Sequence, residues 1–158
     1  MRVNKHCVIK ILKPTNELNV LREIKILNLL KGGPSIVKLI DTLQDDEDET
    51  PCLVFEKSSM IDLSEIINDL TPEDIKFIIY KILKGLEHAH SKGVMHRDIK
   101  MQNVLVDMSN HDLKIIDWGL SEFYHIGFPY DLKVSTKFYR APELILGNPY
   151  YDYSLDIW

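Results

Sequence analysis

The segment His96-Arg97-Asp98-Ile99-Lys100-Met101-Gln102-Asn103 constrains this chain more than any other feature. Five residues of fixed type at fixed spacing arise by chance in a chain of this length roughly once in ten thousand sequences or fewer. Fourteen residues after Asn103 comes Asp117-Trp118-Gly119, preceded by the apolar run Leu113 to Ile116, and farther on stands Ala141-Pro142-Glu143. Upstream, Lys10 ends Val8-Ile9-Lys10 inside a strand-like run, and Glu23 lies in the helix-like segment that follows. Taken singly, each has a plain structural reading. Lys10 alone reads as an edge-strand lysine, Glu23 as a solvated helix residue, and His96-Arg97-Asp98 as a surface ion-pair cluster. Their order, and the elements that carry them, give the set its weight.

Periodicity supplies those elements. Residues 6–12 alternate and are rich in β-branched side chains, predicting a strand that Pro14 ends. Residues 17–31 predict a helix with Leu18, Leu21, Ile24 and Leu27 on one face, stopped by Gly32-Gly33-Pro34. Strands are expected over 36–43 and 52–56, and the acidic run Asp45 to Glu49 between them reads as a solvated loop. A short helix is expected over 61–69. Thr71-Pro72-Glu73-Asp74 is a helix start, and Ile75, Ile78, Ile79, Ile82 and Leu86 form one face of the helix that Gly93 closes. Residues 104–106 and 113–116 predict a hairpin, and 121–140 a long irregular segment of the kind that carries function.

Composition narrows the classes further. The chain has 158 residues, 45% of them apolar, which is ordinary for a globular fold. Nineteen basic against 24 acidic side chains give a net charge of −5, a poor general basis for nucleic-acid binding. Cys7 and Cys52 are too few for a disulfide framework or a thiolate metal site. No apolar run approaches the roughly 18 residues a membrane span requires, and no signal peptide is evident. The expected setting is intracellular, in the cytoplasm, the nucleus or both, with no nucleic-acid or membrane partner.

The ordered set resembles the signature of eukaryotic protein kinases. The resemblance implies an α+β, bilobal protein-kinase-like fold. It also implies a role for each matching residue. Lys10 contacts the α and β phosphates of ATP, and Glu23 pairs with Lys10. Asp117 and Asn103 ligate Mg2+. Asp98 orients the attacking hydroxyl, and Lys100 offsets charge on the phosphoryl group in transfer, a lysine that resembles serine/threonine rather than tyrosine kinases. Phe55 falls at the back of the adenine pocket, and Glu56, Lys57 and Ser58 form the hinge beside it.

A narrower resemblance is carried by Val8 to Pro14, Arg22 to Leu27, Gly32-Gly33-Pro34, Asp117 to Leu120, Glu122 to His125 and Tyr151 to Asp156. These are similar to the catalytic (alpha) subunit of casein kinase II, in which tryptophan also replaces phenylalanine in the metal-binding triplet. That likeness implies transfer from ATP, and in that family also GTP, to serine or threonine in acidic contexts. It implies a separate regulatory (beta) subunit as partner, and places Lys133, Lys137 and Arg140 near the peptide site. The chain departs from the family in Thr15 to Asn19, which holds no lysine where a lysine cluster is usual. It departs again in Met101, where proline is usual, and in Ala141, where glycine is common.

The same resemblance reads the chain as a partial kinase domain. Residues 1–56 are the small lobe without its Gly-rich hairpin, 57–60 the hinge, and 61–158 the start of the large lobe, ending at the αF helix. Apolar faces, including that of 75–86, are therefore expected to be exposed and the isolated chain to be marginally stable. Because no Gly-x-Gly-x-x-Gly is present, the alternative function is a weak or inactive kinase-like module that docks a regulatory subunit.

Overall fold

The computed structural model describes residues 6–12, 16–44 and 50–158. The strand stop at Pro14 and the acidic run Asp45 to Glu49 lie outside the described residues. A three-stranded antiparallel sheet is built from β1 (Cys7–Ile11), β2 (Leu39–Gln44) and β3 (Pro51–Glu56), in the order β1-β3-β2. Lys10 pairs with Leu53 across it. Helix α1 (Glu17–Leu30) starts at Asn16, whose side chain accepts from the Leu18 amide at 2.9 Å.

The stripe expected on α1 is rotated. Leu18 and Leu21 are exposed, at 70% and 56%, while Val20, Glu23, Ile26, Leu27 and Leu30 are buried. Apart from its charged residues and Asn19 and Asn28 this helix is apolar, so two overlapping stripes fit the same spacing, and packing selects the one that carries Glu23 inward.

The expected strand over 36–43 begins only at Leu39. Its first residues leave the β2 ladder and pair with another element, β7 (Asp112–Ile115): Ile36 bridges Ile115 in parallel, and the Ile115 amide donates to the Ser35 carbonyl at 2.8 Å. This crossing ties the sheet to the rest of the chain. The expected helix over 61–69 breaks into β4 (Ile61–Asp62), a single turn α2 (Leu63–Ile66) and a 3-10 turn Ile67–Asp69. Ile61 and Asp62 pair with Val106 and Leu105, so sheet pairing takes residues that local pattern gave to a helix.

Helix α3 (Pro72–Ser91) starts as expected. Thr71 Oγ1 accepts from the Asp74 amide and Asp74 accepts from the Thr71 amide, a reciprocal capping box. Lys92 follows its last turn and Gly93 takes φ +75°, a left-handed turn that suits glycine. Ile78 and Leu86 are buried, whereas Ile75, Ile79 and Leu83 are exposed. Ile79 and Leu83 line a groove of about 490 Å3 with Leu155 and Trp158.

After α3 come β5 (Val94–Met95) and the expected hairpin, β6 (Val104–Asp107) with β7. The segment 121–140 is largely irregular, holding only β8 (Glu122–Phe123), paired with β5, and the 3-10 turn Lys137–Tyr139. A four-residue helix α4 (Pro142–Ile145) follows. One apolar core runs from Leu27, Leu30 and Leu53 to Leu86, Leu113, Ile115 and Trp118, and a smaller one gathers Met95, Tyr130, Leu144, Tyr151 and Leu155. The fold is thus mixed α+β. Among the described residues no helix is long and apolar enough to cross a membrane, and the two cysteines are free.

Leu86 is 1% exposed at the junction of α3 with β7. Leu86→Ala is expected to lower unfolding free energy by about 2–5 kcal/mol through lost burial and the cavity left behind. The midpoint of denaturant unfolding, monitored by circular dichroism, checks this.

Candidate active site

Lys10 reaches inward from β1 between two carboxylates. Its Nζ donates to Glu23 Oε1 at 2.8 Å and to Asp117 Oδ1 at 2.8 Å. Glu23 is buried on the inner face of α1, and Asp117 follows β7. Burial works against the Lys10 charge, but the hydrogen bonds it donates to Asp117 and Glu23 and the charges of both acids outweigh it and raise its pKa above the ordinary lysine value. Burial likewise opposes the Asp117 charge, and the bond from Lys10 prevails and lowers its pKa. Asp117 takes φ +57°, a strained conformation for a non-glycine residue. Gly119 completes the turn in a crowded place: a Cβ there would stand 3.3 Å from Glu23 Oε2 and 3.4 Å from Lys10 Nζ.

The loop 96–103 carries the second half of the site. Asp98 is 5% exposed and its carboxylate accepts four hydrogen bonds. Lys100 Nζ donates to Oδ2 at 2.7 Å and Asn103 Nδ2 to Oδ2 at 3.0 Å. The Thr136 amide and hydroxyl both donate to Oδ1 at 2.9 Å. Lys100 Nζ also donates to Thr136 Oγ1 at 2.8 Å, closing a ring of three side chains. Asn103 uses its amide nitrogen on Asp98, so its amide oxygen is the atom left for a cation.

The support beneath this loop is buried. Asp156 accepts from the His96 and Arg97 amides, each at 2.8 Å, and contacts His90 Nε2 at 2.8 Å. Arg97 is thereby held at φ +67°. His96 lies against the Trp118 ring at a centroid distance of 4.6 Å. Its Nδ1 accepts from the Asp98 amide at 3.2 Å, so its Nε2 carries the proton and donates to the Ile116 carbonyl at 3.1 Å. Burial lowers the His96 pKa, and this pair of partners suits only the neutral ring. Trp118 donates its indole N–H to the Ile115 carbonyl at 3.2 Å.

Phe55, Glu56, Lys57 and Ser58 line a cavity of about 610 Å3 whose other walls include Val8, Lys10, Val37, Leu105, Ile116 and Asp117. The hinge residues and the Lys10–Asp117 pair therefore face one space. Lys133 and Lys137 are exposed and Arg140 is half-buried in the irregular segment, and none of the three pairs with a described acid. Lys137 follows Thr136, the residue that bonds Asp98, and Arg140 lies beyond Phe138 and Tyr139 in the same segment. Among the described residues no cluster of three or more His, Cys, Asp or Glu side chains could hold a metal by itself. One carboxylate, Asp117, and one amide oxygen, Asn103, fit a hard cation that completes its shell with water and phosphate oxygens.

Three contributors escaped the sequence reading. Thr136 has no local signal, because its role depends on a 38-residue closure onto Asp98. Asp156 lies in the recognised run Tyr151 to Asp156, but nothing in that run tells that its carboxylate folds under the loop. Glu122 likewise belongs to a recognised run and had no assigned role.

Because His96 is buried neutral, the unfolded chain binds its proton more readily. The stability His96 contributes is complete above the unfolded value of 6.5 and is lost as pH falls below it. Unfolding midpoints are expected to drop between pH 7.5 and pH 5.5, and to drop less in His96→Gln.

The cavity, the lysine held between two acids and the buried aspartate with its lysine and asparagine are the parts a phosphotransferase needs. A family model for the protein kinase domain matches residues 2–158, and the chain belongs to that family, whose members phosphorylate proteins.

Proposed function

We propose that this chain is a serine/threonine kinase of the casein kinase II type, transferring the γ-phosphoryl group of ATP, and also of GTP, to hydroxyls in acidic sequence contexts. The observation that carries this reading is the closed ring of Asp98, Lys100 and Thr136. It supports a carboxylate aimed by four donors, with an ammonium group alongside, where a hydroxyl would meet a phosphoryl group.

The residues act by position and charge. Lys10, aligned by Glu23, binds phosphate oxygens. Asp117 and Asn103 would hold Mg2+, which supplies charge neutralisation for the phosphates when bound. Asp98 accepts and orients the proton of the incoming hydroxyl, which geometry achieves without strong basicity. Lys100 offsets negative charge on the group in transfer. Phe55 closes the back of the base pocket, and the backbone of Glu56 to Ser58 offers the base its hydrogen-bonding edge.

Lys133, Lys137 and Arg140 support the acidic preference. They are cations without acidic partners among the described residues, in the segment that packs onto Asp98, and they attract carboxylates beside an acceptor. The lysine-free stretch Thr15 to Asn19 favours dependence on a few acidic positions rather than on many. A casein kinase II regulatory (beta) subunit is the partner this reading assigns.

Asp98→Asn in the full chain is expected to lower phosphate transfer to an acidic serine peptide by about 10^2–10^4-fold while Mg·ATP binding persists. Equal transfer by both proteins removes Asp98 from the reaction. Nucleotide binding without turnover in the unaltered chain replaces the enzyme with a kinase-like binding module. Lys133→Glu/Lys137→Glu is expected to raise KM for the acidic peptide about tenfold, with kcat little changed and the difference shrinking at high salt. Unchanged KM assigns those lysines to solvent.

A further inference from the structure

Glu122 stands two residues past the turn Trp118–Leu120, in β8. Its Oε2 accepts from Arg22 NH1 of α1 at 2.6 Å and lies 3.8 Å from Arg97 NH2 of the catalytic loop. Its Oε1 accepts from the Phe123 amide at 3.0 Å. One carboxylate therefore stands between two guanidinium groups. The Arg97 side chain is only 5% exposed, so the attraction is weakly screened on that side.

Both arginines are held from other directions. Arg22 NH2 donates to Asn19 at 2.9 Å. Arg97 Nε donates to the Leu120 carbonyl at 2.7 Å and its NH1 to the Tyr151 hydroxyl at 3.1 Å, and Asp156 holds its amide. The neighbours of these arginines give the arrangement its meaning. Arg22 precedes Glu23, the partner of Lys10. Arg97 precedes Asp98. A shift of Glu122 thus pulls on both halves of the site together. Lys25 of α1, with its Nζ 5.2 Å from the Phe123 ring centroid, adds a second contact between the same two elements.

Without the carboxylate, two arginines would face each other across the gap between α1 and the catalytic loop. Kinases switched by phosphorylation order their activation loops with new arginine–phosphate pairs. Here an acid of the chain itself makes an arginine pair on each side.

We propose that Glu122 is a positioning residue that locks α1 to the catalytic loop through Arg22 and Arg97, setting Glu23 and Asp98 in one register. Its kinetic consequence rests on the phosphotransferase reading above; its structural consequence does not.

Two readouts on the full chain separate these. Glu122→Gln keeps the shape and removes the charge, and Arg22→Gln breaks the link from the other side. Amide hydrogen exchange without nucleotide is expected to accelerate at least about fivefold in α1 in either variant, with β6 and β7 unchanged. For phosphate transfer, each variant is expected to lose about tenfold in kcat, measured well below its melting temperature, with the double variant no more than about twofold worse than either single one. Glu122→Asp, which keeps the charge, is expected to retain more activity than Glu122→Gln. Unchanged α1 exchange in Glu122→Gln overturns the proposal. So does a kcat within about twofold of the unaltered, active chain, because a merely stabilising ion pair moves the melting temperature and leaves kcat alone. Absence of turnover in the unaltered chain removes the functional reading instead, and the exchange result then decides the role of Glu122.

Discussion

Everything in the site is referred to Lys10. It is a cation from β1 pinned by an acid from α1 and an acid from the turn after β7, 107 residues away in sequence. The Lys10 side chain is still 32% exposed, so these pairs contribute modestly to stability. Their value is geometric. The two 2.8 Å bonds leave Lys10, Glu23 and Asp117 little freedom relative to one another, and they draw a sheet, a helix and a hairpin to one point. A Cβ at Gly119 would fit tightly against the same side chains. A phosphate oxygen approaching Lys10 meets a charge whose position three elements have fixed in advance, which is how electrostatic stabilisation avoids reorganisation at the moment of reaction.

The catalytic loop is bound to the same frame through its backbone. The Ile116 amide donates to the Asn103 carbonyl at 2.9 Å, and the Ile116 carbonyl accepts from His96. Asp117 is therefore one residue from two links to the loop that carries Asp98 and Asn103. Arg97, Asp117 and Ser135 all take positive φ, and each adjoins or belongs to the reacting constellation. Such conformations cost about 1–3 kcal/mol each and persist only where surroundings over-determine them. Asp156 does this for Arg97, accepting two consecutive amides in the interior. The loop is aimed by buried polar bonds, while the apolar core beneath it supplies the rigidity.

What was legible in the sequence follows from how local each signal is. The α3 capping box and the β6–β7 hairpin are decided by neighbouring residues, and both stand as expected. Lys10, Glu23, Asp98, Lys100, Asn103 and Asp117 stand out in the sequence by their order and spacing, and the structure brings them into two adjoining clusters. The rotated face of α1 was not legible, since its apolar residues are spread around the helix and admit more than one inner stripe. Nor was the pairing of Ile36 with Ile115, or of Ile61 with Val106, because tertiary partners override local pattern. Thr136 shows the limit most clearly: a threonine in an irregular segment becomes part of the site only through a closure no local rule encodes.

Charge distribution connects these parts to the chain's overall acidity. Glu23, Asp98 and Asp117 against Lys10 and Lys100 leave the inner site with one excess negative charge. A nucleoside triphosphate entering alone meets that excess, whereas one carrying a divalent cation does not, and in the proposed reading Asp117 and Asn103 would share such a cation. Asn103 serves here because it is neutral: an acid in its place would add charge beside Asp98 and have no N–H to give it. In the proposed reading, the peptide side has the opposite sign. Lys133, Lys137 and Arg140 have no acidic partner among the described residues, and screening confines their field to about 8–10 Å at ordinary salt. On that reading, a chain with a net charge of −5 presents a locally cationic face to an acidic peptide. On the same reading, the global charge acts on distant encounter, while these side chains act at contact, where hydroxyls would be chosen.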